Sequence, residues 1–218
     1  VCAVSYEEVK AMAARMPSPP KVISLDPTTL GEVLGGIPRL AAAARVLAAG
    51  AALVEECGRR IDAVVEAVDG AARPRVVALE WLDPVFIGGH WVPQMIELAG
   101  GQDVLGSAGE RSRTADWGEV EAAEPDVIVS MPCGYATERA AEETLTMRER
   151  LAAIGAQVAA VHASAYFSRP GPRLVDGIEL MAHLLHPDRV LAPPPGRFIW
   201  LDVENPERAD AAGGGAPR

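Results

Sequence analysis

The amino-acid sequence predicts an α/β protein in which helices cover both faces of a parallel β-sheet. From residue 74 onward, short apolar or β-branched runs alternate with longer helical segments, which is the order of repeated β-α-β units. The run "VIVSMP", residues 127–132, is apolar along its length, as expected for a strand that is buried on both faces. With 218 residues, of which 49% are hydrophobic, the chain can also bury a substantial core.

The first predicted element is a helix that begins after Ser5, because Glu8 three residues later completes a capping box. The proline-rich segment "PSPP", residues 17–20, ends this helix. The next run, "KVISLD" at residues 21–26, has the apolar and β-branched composition of a short buried strand.

Residues 28–68 are predicted to be helical, since they consist mainly of Ala, Leu, Val, Glu and Arg. Gly35, Gly36 and Pro38 are expected to divide this region near its start. Between residues 49 and 68 the apolar side chains recur at three- and four-residue steps, as on a helix that lies against a core. These side chains are Leu53, Cys57, Ile61, Val64, Val65 and Val68.

The remaining elements follow in alternating order. They are predicted as strand 75–81, helix 91–98, helix 116–126, strand 127–132, helix 137–155, strand 157–163 and helix 172–186. Asp116 is expected to cap the helix that follows it, and Pro172 suits the first turn of the last helix. The tail, residues 193–218, is predicted to be mostly irregular, with "RFIWLDV" as a candidate edge strand.

Composition and charge exclude several classes of function. The apolar stretches are interrupted by charged residues before they reach the roughly 20 residues that a membrane-spanning helix needs. A formal net charge of −10 would repel the phosphates of a nucleic acid. The first residues lack the basic and apolar regions of a signal peptide. The sequence therefore indicates neither a nucleic-acid partner nor more than peripheral membrane contact.

Known catalytic and metal-binding signatures are also missing from the sequence. The cysteines Cys2, Cys57 and Cys133 are far apart and form no CxxC motif, so neither a disulfide framework nor a zinc site is predicted. The sequence contains no HExxH, GxSxG, P-loop or GxGxxG motif. No catalytic residue and no metal ligand is therefore assigned.

The candidate site lies at the carboxyl ends of the predicted strands, where ligands of open α/β sheets bind. Three loops meet at this edge, which we call the rim. Aromatic rings, small residues and backbone amides dominate the rim, and this composition favours a large flat ligand held by stacking. The candidate residues are Trp81, Phe86, Gly88, Gly89, His90 and Trp91 in the first loop, Cys133, Gly134 and Tyr135 in the second, and Tyr166, Phe167 and Arg169 in the third.

Structural roles compete with ligand contact for several of these residues. Trp81 and Phe86 are large aromatic residues, which fill hydrophobic cores as well as contact ligands. His90 can coordinate a metal ion, although a lone loop histidine more commonly forms hydrogen bonds. Cys133 precedes a predicted helix and is a candidate nucleophile, with filling of a tight turn as the alternative role.

The other histidines follow the same reasoning. His162 lies at the end of a predicted strand, and it or His90 would be the base in an enzyme that uses Cys133. His183 and His186 share one face near the end of the last helix, where a cation is favoured, and they are predicted to be structural.

Three segments carry a resemblance to a known family. They are "EWLDPVFIGGHWVPQMIELAGGQDVLG", "WGEVEAAEPDVIVSMPCGY" and "AYFSRPGPRLVDGIELMAHLLHP". In order and spacing they resemble the cobalamin-binding proteins of the iron-siderophore and vitamin B12 periplasmic-binding family, which deliver ligand to ABC importers. The resemblance covers about residues 1 to 190.

The resemblance implies a fold, a ligand and a partner. In the family a long helix connects two α/β lobes, so residues 28–70 would be the connecting helix region and residues 71–192 a three-layer Rossmann-like lobe with a parallel sheet. Cobalamin or a related corrinoid would be a transported ligand rather than a cofactor. The protein would act outside the cytoplasm, and its partner would be an ABC transporter permease.

The resemblance also assigns roles at the rim. It implies that "GGHW", residues 88–91, and "PCGY", residues 132–135, are turns that line the ligand cleft. Tyr166 would pack against the corrin ring with Phe167 beside it, and tyrosine here stands where some relatives have tryptophan. Asp176 and Glu179 are candidates for the acid that docks on the transporter.

The amino-terminal segment departs from the family pattern. Residues 1–27 match only the last helix and strand of an amino-terminal lobe, so one wall of the cleft is expected in this chain. We therefore expect weak or absent cobalamin binding by this chain alone. An iron-siderophore receptor is the alternative with the same fold, since Arg169 is suited to an anionic chelate.

Overall fold

The computed structural model describes residues 5–204, so the prediction for residues 205–218 and the cysteine at position 2 lie outside the described part. Its helices are α1 (Tyr6–Ala14), α2 (Leu30–Ala44), α3 (Leu47–Val68), α4 (Val92–Leu98), α5 (Trp117–Ala122), α6 (Thr137–Leu145), α7 (Arg148–Ile154), α8 (Ala163–Tyr166) and α9 (Leu174–Leu185). Its strands are β1 (Arg75–Leu82), β2 (Val85–Ile87), β3 (Gln102–Asp103), β4 (Arg113–Ala115), β5 (Val127–Ser130), β6 (Gln157–Val161) and β7 (Phe198–Leu201).

One sheet with the strand order β4-β2-β1-β5-β6-β7 organises the chain, and β3 also pairs with β1. Strands β3, β1, β5 and β6 are parallel to one another. The edge strand β7 runs antiparallel to β6, which confirms the candidate edge strand. The α/β fold class with a parallel sheet is therefore confirmed, with antiparallel strands added at both edges.

Both faces of the sheet are covered by helices, because successive residues of a strand point to opposite sides. Along β5, Val127 and Val129 pack with the helices α2, α3, α4 and α9 in one core cluster. Ile128 packs in a second cluster with residues of α5, α6 and α7. The fully apolar pattern of β5 thus has the structural role that the sequence predicted.

The capped helices begin where their sequences predict. Ser5 accepts a hydrogen bond from the backbone of Glu8, whose side chain accepts in return from the Ser5 backbone. Asp116 caps α5 by accepting from the backbone N–H of Glu119. Both side chains satisfy backbone donors that have no partner inside the helix.

The helical region 28–68 divides at a different place from the predicted one. Gly35, Gly36 and Pro38 lie inside α2, and Pro38 is exposed there. The break comes at Arg45, which adopts a left-handed conformation with φ 60°. The Val46 N–H then donates to the carbonyl of Ala41, the bond that closes a helix C-terminus in a Schellman motif. Residues 28–68 therefore contain two helices rather than one.

Two other element predictions were wrong. Residues 21–26 form no strand in the described chain, because no strand of the sheet pairs with their backbone. The predicted helix 137–155 is split between α6 and α7 at Thr146. The Thr146 hydroxyl donates to the carbonyl of Glu143, and such local side-chain bonds compete with helical hydrogen bonding.

Strands β2 and β4 occupy a stretch that the sequence indicates only as loop. After Asp83 and Pro84 the chain returns antiparallel to β1, and β4 pairs with β2 at the edge of the sheet. This hairpin matters for the site, since it holds the loop of residues 88–91 beside the end of β1. None of the helices described between residues 5 and 204 is long and apolar enough to cross a membrane.

Candidate functional site

Hydrogen bonds tie the three predicted loops together at the rim. The Cys133 N–H donates to the Glu80 carbonyl at 3.1 Å, which joins the loops after β5 and β1. The Ser164 N–H donates to the Tyr135 carbonyl at 3.0 Å, which joins the loops after β6 and β5. The parallel order β1-β5-β6 thus brings all three loops to one edge of the sheet, as the sequence predicts.

Partly exposed aromatic rings form two pairs on this rim. The rings of Trp81 and Tyr135 lie 5.5 Å apart, centroid to centroid, and the Arg139 guanidinium lies 5.4 Å from the Tyr135 ring. Tyr166 lies 5.6 Å from the His162 ring. On the same tyrosine the Arg197 guanidinium lies 4.8 Å from the ring centroid. Such contacts hold aromatic side chains in defined positions.

Two aromatic candidates are buried in the core. Trp91 is 8% exposed and Phe167 is 2% exposed, and both belong to the core cluster between the sheet and α9. The Trp91 Nε1–H donates to the Phe167 carbonyl at 2.8 Å. The side chains of Trp91 and Phe167 therefore pack in the core beneath the rim, and they do not offer an exposed surface to a ligand.

The remaining candidates occupy different depths. Phe86 is half-buried on β2, opposite Trp81 in the β1–β2 register. Gly88 and Gly89 are buried, whereas Cys133, Gly134 and Arg169 are exposed. A Cβ at position 89 would lie 2.6 Å from the Arg111 carbonyl carbon and 2.7 Å from the Glu110 oxygen. Glycine is thus required at position 89 by close backbone approach.

A polar cluster that the sequence does not indicate lies beside this loop. The Ser112 hydroxyl donates to Glu80 Oε2 at 2.5 Å and lies 3.5 Å from His90 Nδ1. The Gly89 N–H also donates to the Glu80 carboxylate, and burial raises the pKa of Glu80. Glu80 stands at the carboxyl end of an otherwise apolar strand, which is a signal for a site residue. Ser112 comes from β4's preceding loop and carries no such signal.

Cys133 has an exposed thiol at the rim. Within residues 5–204 the thiol forms no hydrogen bond with His90 or His162, so the nucleophile and base of the enzyme alternative are not assembled. His183 and His186 are buried and bonded to the carbonyls of Val190 and Gly100. These two contacts agree with the structural role predicted for both histidines.

The candidate docking acids, Asp176 and Glu179, are bound by one arginine. Arg60 of α3 donates to Asp176 at 2.5 Å and to both carboxylate oxygens of Glu179 at 2.6 and 2.8 Å. These contacts raise the pKa of Arg60. They lie along a groove of about 560 Å³ between α3, α9 and residues 189–197. The two acids therefore fix α3 on α9.

Asp103 holds the turn that follows β3. Its Oδ1 accepts from the N–H groups of Leu105 and Gly106 at 3.0 and 2.6 Å. Its Oδ2 is buried without a hydrogen-bond partner among the described residues. Burial raises the pKa of Asp103, since the charged form loses water and gains only the Oδ1 bonds.

Asp103→Asn is expected to stabilise the protein at neutral pH. A group whose pKa is higher in the folded than in the unfolded protein stabilises the fold below its unfolded pKa, and this contribution is lost as pH rises through the folded pKa. The amide keeps the Oδ1 bonds without the charge. In urea unfolding from pH 4 to pH 7, the free energy of unfolding of the variant should increase relative to that of the wild type as the pH rises. A difference that stays constant with pH would contradict this account.

Comparisons with known proteins show the family. The family model described as "Periplasmic binding protein" matches residues 11–161, well over half of the chain. No curated protein sequence matches. An ABC transporter substrate-binding protein from Listeria monocytogenes EGD-e has a similar structure, with a TM-score of 0.70 and 16% identity over 83% of this chain and 74% of that chain.

Two further solved structures have the same fold. The periplasmic vitamin B12 binding protein of Vibrio cholerae is 20% identical, with a TM-score of 0.64 over 82% of this chain and 68% of its own. A periplasmic heme-binding protein from Roseiflexus sp. RS-1, in apo form, is 20% identical, with a TM-score of 0.66 over 85% and 73%. Because the family model spans most of this chain and the shared fold agrees with it, the chain belongs to the periplasmic binding protein family.

Proposed function

We propose that this chain is the solute-binding component of an ABC importer, that it works outside the cytoplasm, and that its ligand is cobalamin. Membership of a family of solute-binding proteins supports binding rather than catalysis. One of the structures with the same fold is a vitamin B12 binding protein. The permease would be the partner to which the ligand is delivered.

The aromatic rim is the observation that supports a large planar ligand. Trp81, Tyr135 and Tyr166 are partly exposed on loops at the same edge of the sheet. Their rings are positioned by neighbouring rings and guanidinium groups rather than by burial alone. Aromatic faces held in place can cover a corrin ring with little loss of side-chain entropy on binding.

The rim is less suited to an anionic iron chelate, the siderophore alternative. Arg139 binds Glu142 and Glu143, and Arg197 lies over Tyr166. Their guanidinium groups are therefore already engaged. Arg169 is exposed and is the arginine on which the siderophore alternative depends, and one guanidinium provides little of the charge that such chelates favour.

Equilibrium dialysis with cyanocobalamin tests the proposed ligand. From the contacts that the rim offers, we expect a dissociation constant on the order of 10⁻⁵ to 10⁻⁴ M, equivalent to about 5.5 to 7 kcal/mol. A ferric hydroxamate siderophore should bind at least tenfold more weakly. Absence of cobalamin binding at millimolar protein, or preference for the siderophore, would overturn the proposal.

Tyr166→Ala is expected to weaken cyanocobalamin binding about five- to tenfold, because a stacking ring contributes roughly 1 kcal/mol. Tyr6→Ala, on the exposed face of α1, is the matched control and should bind like the wild type. Both variants should unfold as single cooperative transitions. Equal affinity in Tyr166→Ala and wild type would exclude this tyrosine from the contact surface.

A further inference from the structure

We infer that His90 is an axial ligand, through Nε2, of the metal at the centre of the macrocycle that the rim binds. The inference rests on the proposed function and adds a bond to it. It applies to any metallo-tetrapyrrole with an exchangeable axial position, of which aquacobalamin and ferric heme are the two available probes. Three independent features of the His90 environment support it.

The backbone of His90 is held in a rare conformation. Its φ is +53°, a left-handed value that a residue with a Cβ adopts at a cost. Two hydrogen bonds fix it there, from the His90 N–H to the Glu110 carbonyl at 2.5 Å and from the Gly109 N–H to the His90 carbonyl at 2.9 Å. Strained residues that their surroundings hold so firmly cluster at functional sites.

The partners of Nδ1 define which ring nitrogen carries the proton. Ser112 donates its hydroxyl hydrogen to Glu80, so its oxygen can only accept from His90. The contact at 3.5 Å therefore places the proton on Nδ1 and leaves the lone pair on Nε2. Metal-binding histidines are commonly oriented in this way, with the other ring nitrogen bonded to a hydroxyl or carboxylate chain.

The second histidine of the rim has the opposite arrangement. His162 Nδ1 accepts a hydrogen bond from the backbone N–H of Ala165 at 3.2 Å, as the N-cap of α8. The neutral ring then carries its proton on Nε2, which has no lone pair for a metal. Of these two histidines, His90 is prepared for coordination and His162 is not.

The ring of His90 is also accessible. The residue is only partly buried, and no hydrogen bond within residues 5–204 occupies its Nε2. Coordination is a simple exchange in which the Nε2–metal bond forms, the bond to axial water breaks and water leaves. Neither the metal nor the protein changes oxidation state, and Nδ1 keeps its proton, which it donates to the Ser112 oxygen.

The test compares two corrinoids on the full chain by absorption spectroscopy and equilibrium dialysis. Aquacobalamin has an exchangeable water, whereas cyanocobalamin holds cyanide in that position. We expect the wild type to convert aquacobalamin to the spectrum of an imidazole complex and to bind it at least tenfold more tightly than cyanocobalamin. His90→Ala should abolish both the imidazole spectrum and the preference for aquacobalamin over cyanocobalamin.

His162→Ala is the matched control and should retain the imidazole spectrum. Ser112→Ala, which removes the partner of Nδ1, should bind cyanocobalamin normally but form the imidazole complex at least threefold more weakly. An unchanged imidazole spectrum in His90→Ala, or no such spectrum in a wild type that binds cyanocobalamin, overturns the inference and leaves the proposed function standing.

Ferric heme separates the remaining outcomes. Heme binding with a histidine-ligand spectrum that His90→Ala loses, without binding of either corrinoid, would support the axial ligand and contradict the cobalamin proposal. If none of the three macrocycles binds, both the proposed function and the axial ligand fail.

Discussion

Phe167→Ala is expected to lower the free energy of unfolding by about 3 to 5 kcal/mol, the usual range when a fully buried phenylalanine is truncated. The Phe167 side chain is 2% exposed within the core cluster. It lies against α9, where a Cβ added at Gly177 would be 3.3 Å from its ring. The truncation therefore leaves a cavity between the sheet and α9.

Urea unfolding followed by circular dichroism measures this loss. Tyr166→Ala is the control, since its neighbouring ring is partly exposed at the rim, and its loss should be much smaller. The two variants also distinguish a residue that supports the rim from one that contacts the ligand. Phe167→Ala should lower stability, whereas Tyr166→Ala should lower ligand affinity. A Phe167→Ala variant as stable as the wild type but unable to bind ligand would reverse these roles.

Gly89→Ala is expected to destabilise the protein by about 3 kcal/mol, at the upper end of overpacking. The new methyl group would meet the backbone of residues 110–112, including the Ser112 nitrogen and the Glu110 oxygen. A side chain could rotate away from such a contact, but backbone atoms cannot. The change would also displace Ser112 from His90.

Gly58→Ala provides the matched control for the same substitution. Gly58 lies inside α3 and a Cβ there would meet no atom within 4 Å, so alanine should stabilise the helix by about 0.5 to 1 kcal/mol. Thermal unfolding of both variants checks the opposite signs. A stabilising effect of the same size at Gly89 would mean that the close approach of residues 110–112 to position 89 does not oppose a side chain there.

The meeting of the three loops at one edge of the sheet was predictable, because the alternation of strands and helices determines which loops share an edge. The sequence could not show how deep each ring lies. In the sequence, Trp91 and Phe167 are aromatic loop residues like Trp81 and Tyr166. Only the packing of α9 on the sheet buries Trp91 and Phe167. The Glu80–Ser112–His90 cluster was also hidden, because its members come together through the pairing of two three-residue strands, β2 and β4.

The breaks in the helices show a second limit. The sequence marks helix ends with glycine or proline, yet α2 continues through Pro38 and ends at Arg45. An arginine in a left-handed conformation has no signal in a single sequence. Its position is decided by the packing of α3 on α2, where Gly50 lies directly against Ala41.

The two ion pairs of Arg60 fix α3 to α9 at one point, about which the rest of α3 can tilt. About 13 residues of α3, or roughly 20 Å of helix, extend from Arg60 towards Leu47, and that arm packs against α2. A force that tilts this part of α3 would be transmitted through the Arg60–Asp176 ion pair to the first turn of α9. Because the adjacent Gly177 lies against the Tyr166 carbonyl, tilting α3 would shift Tyr166 at the rim.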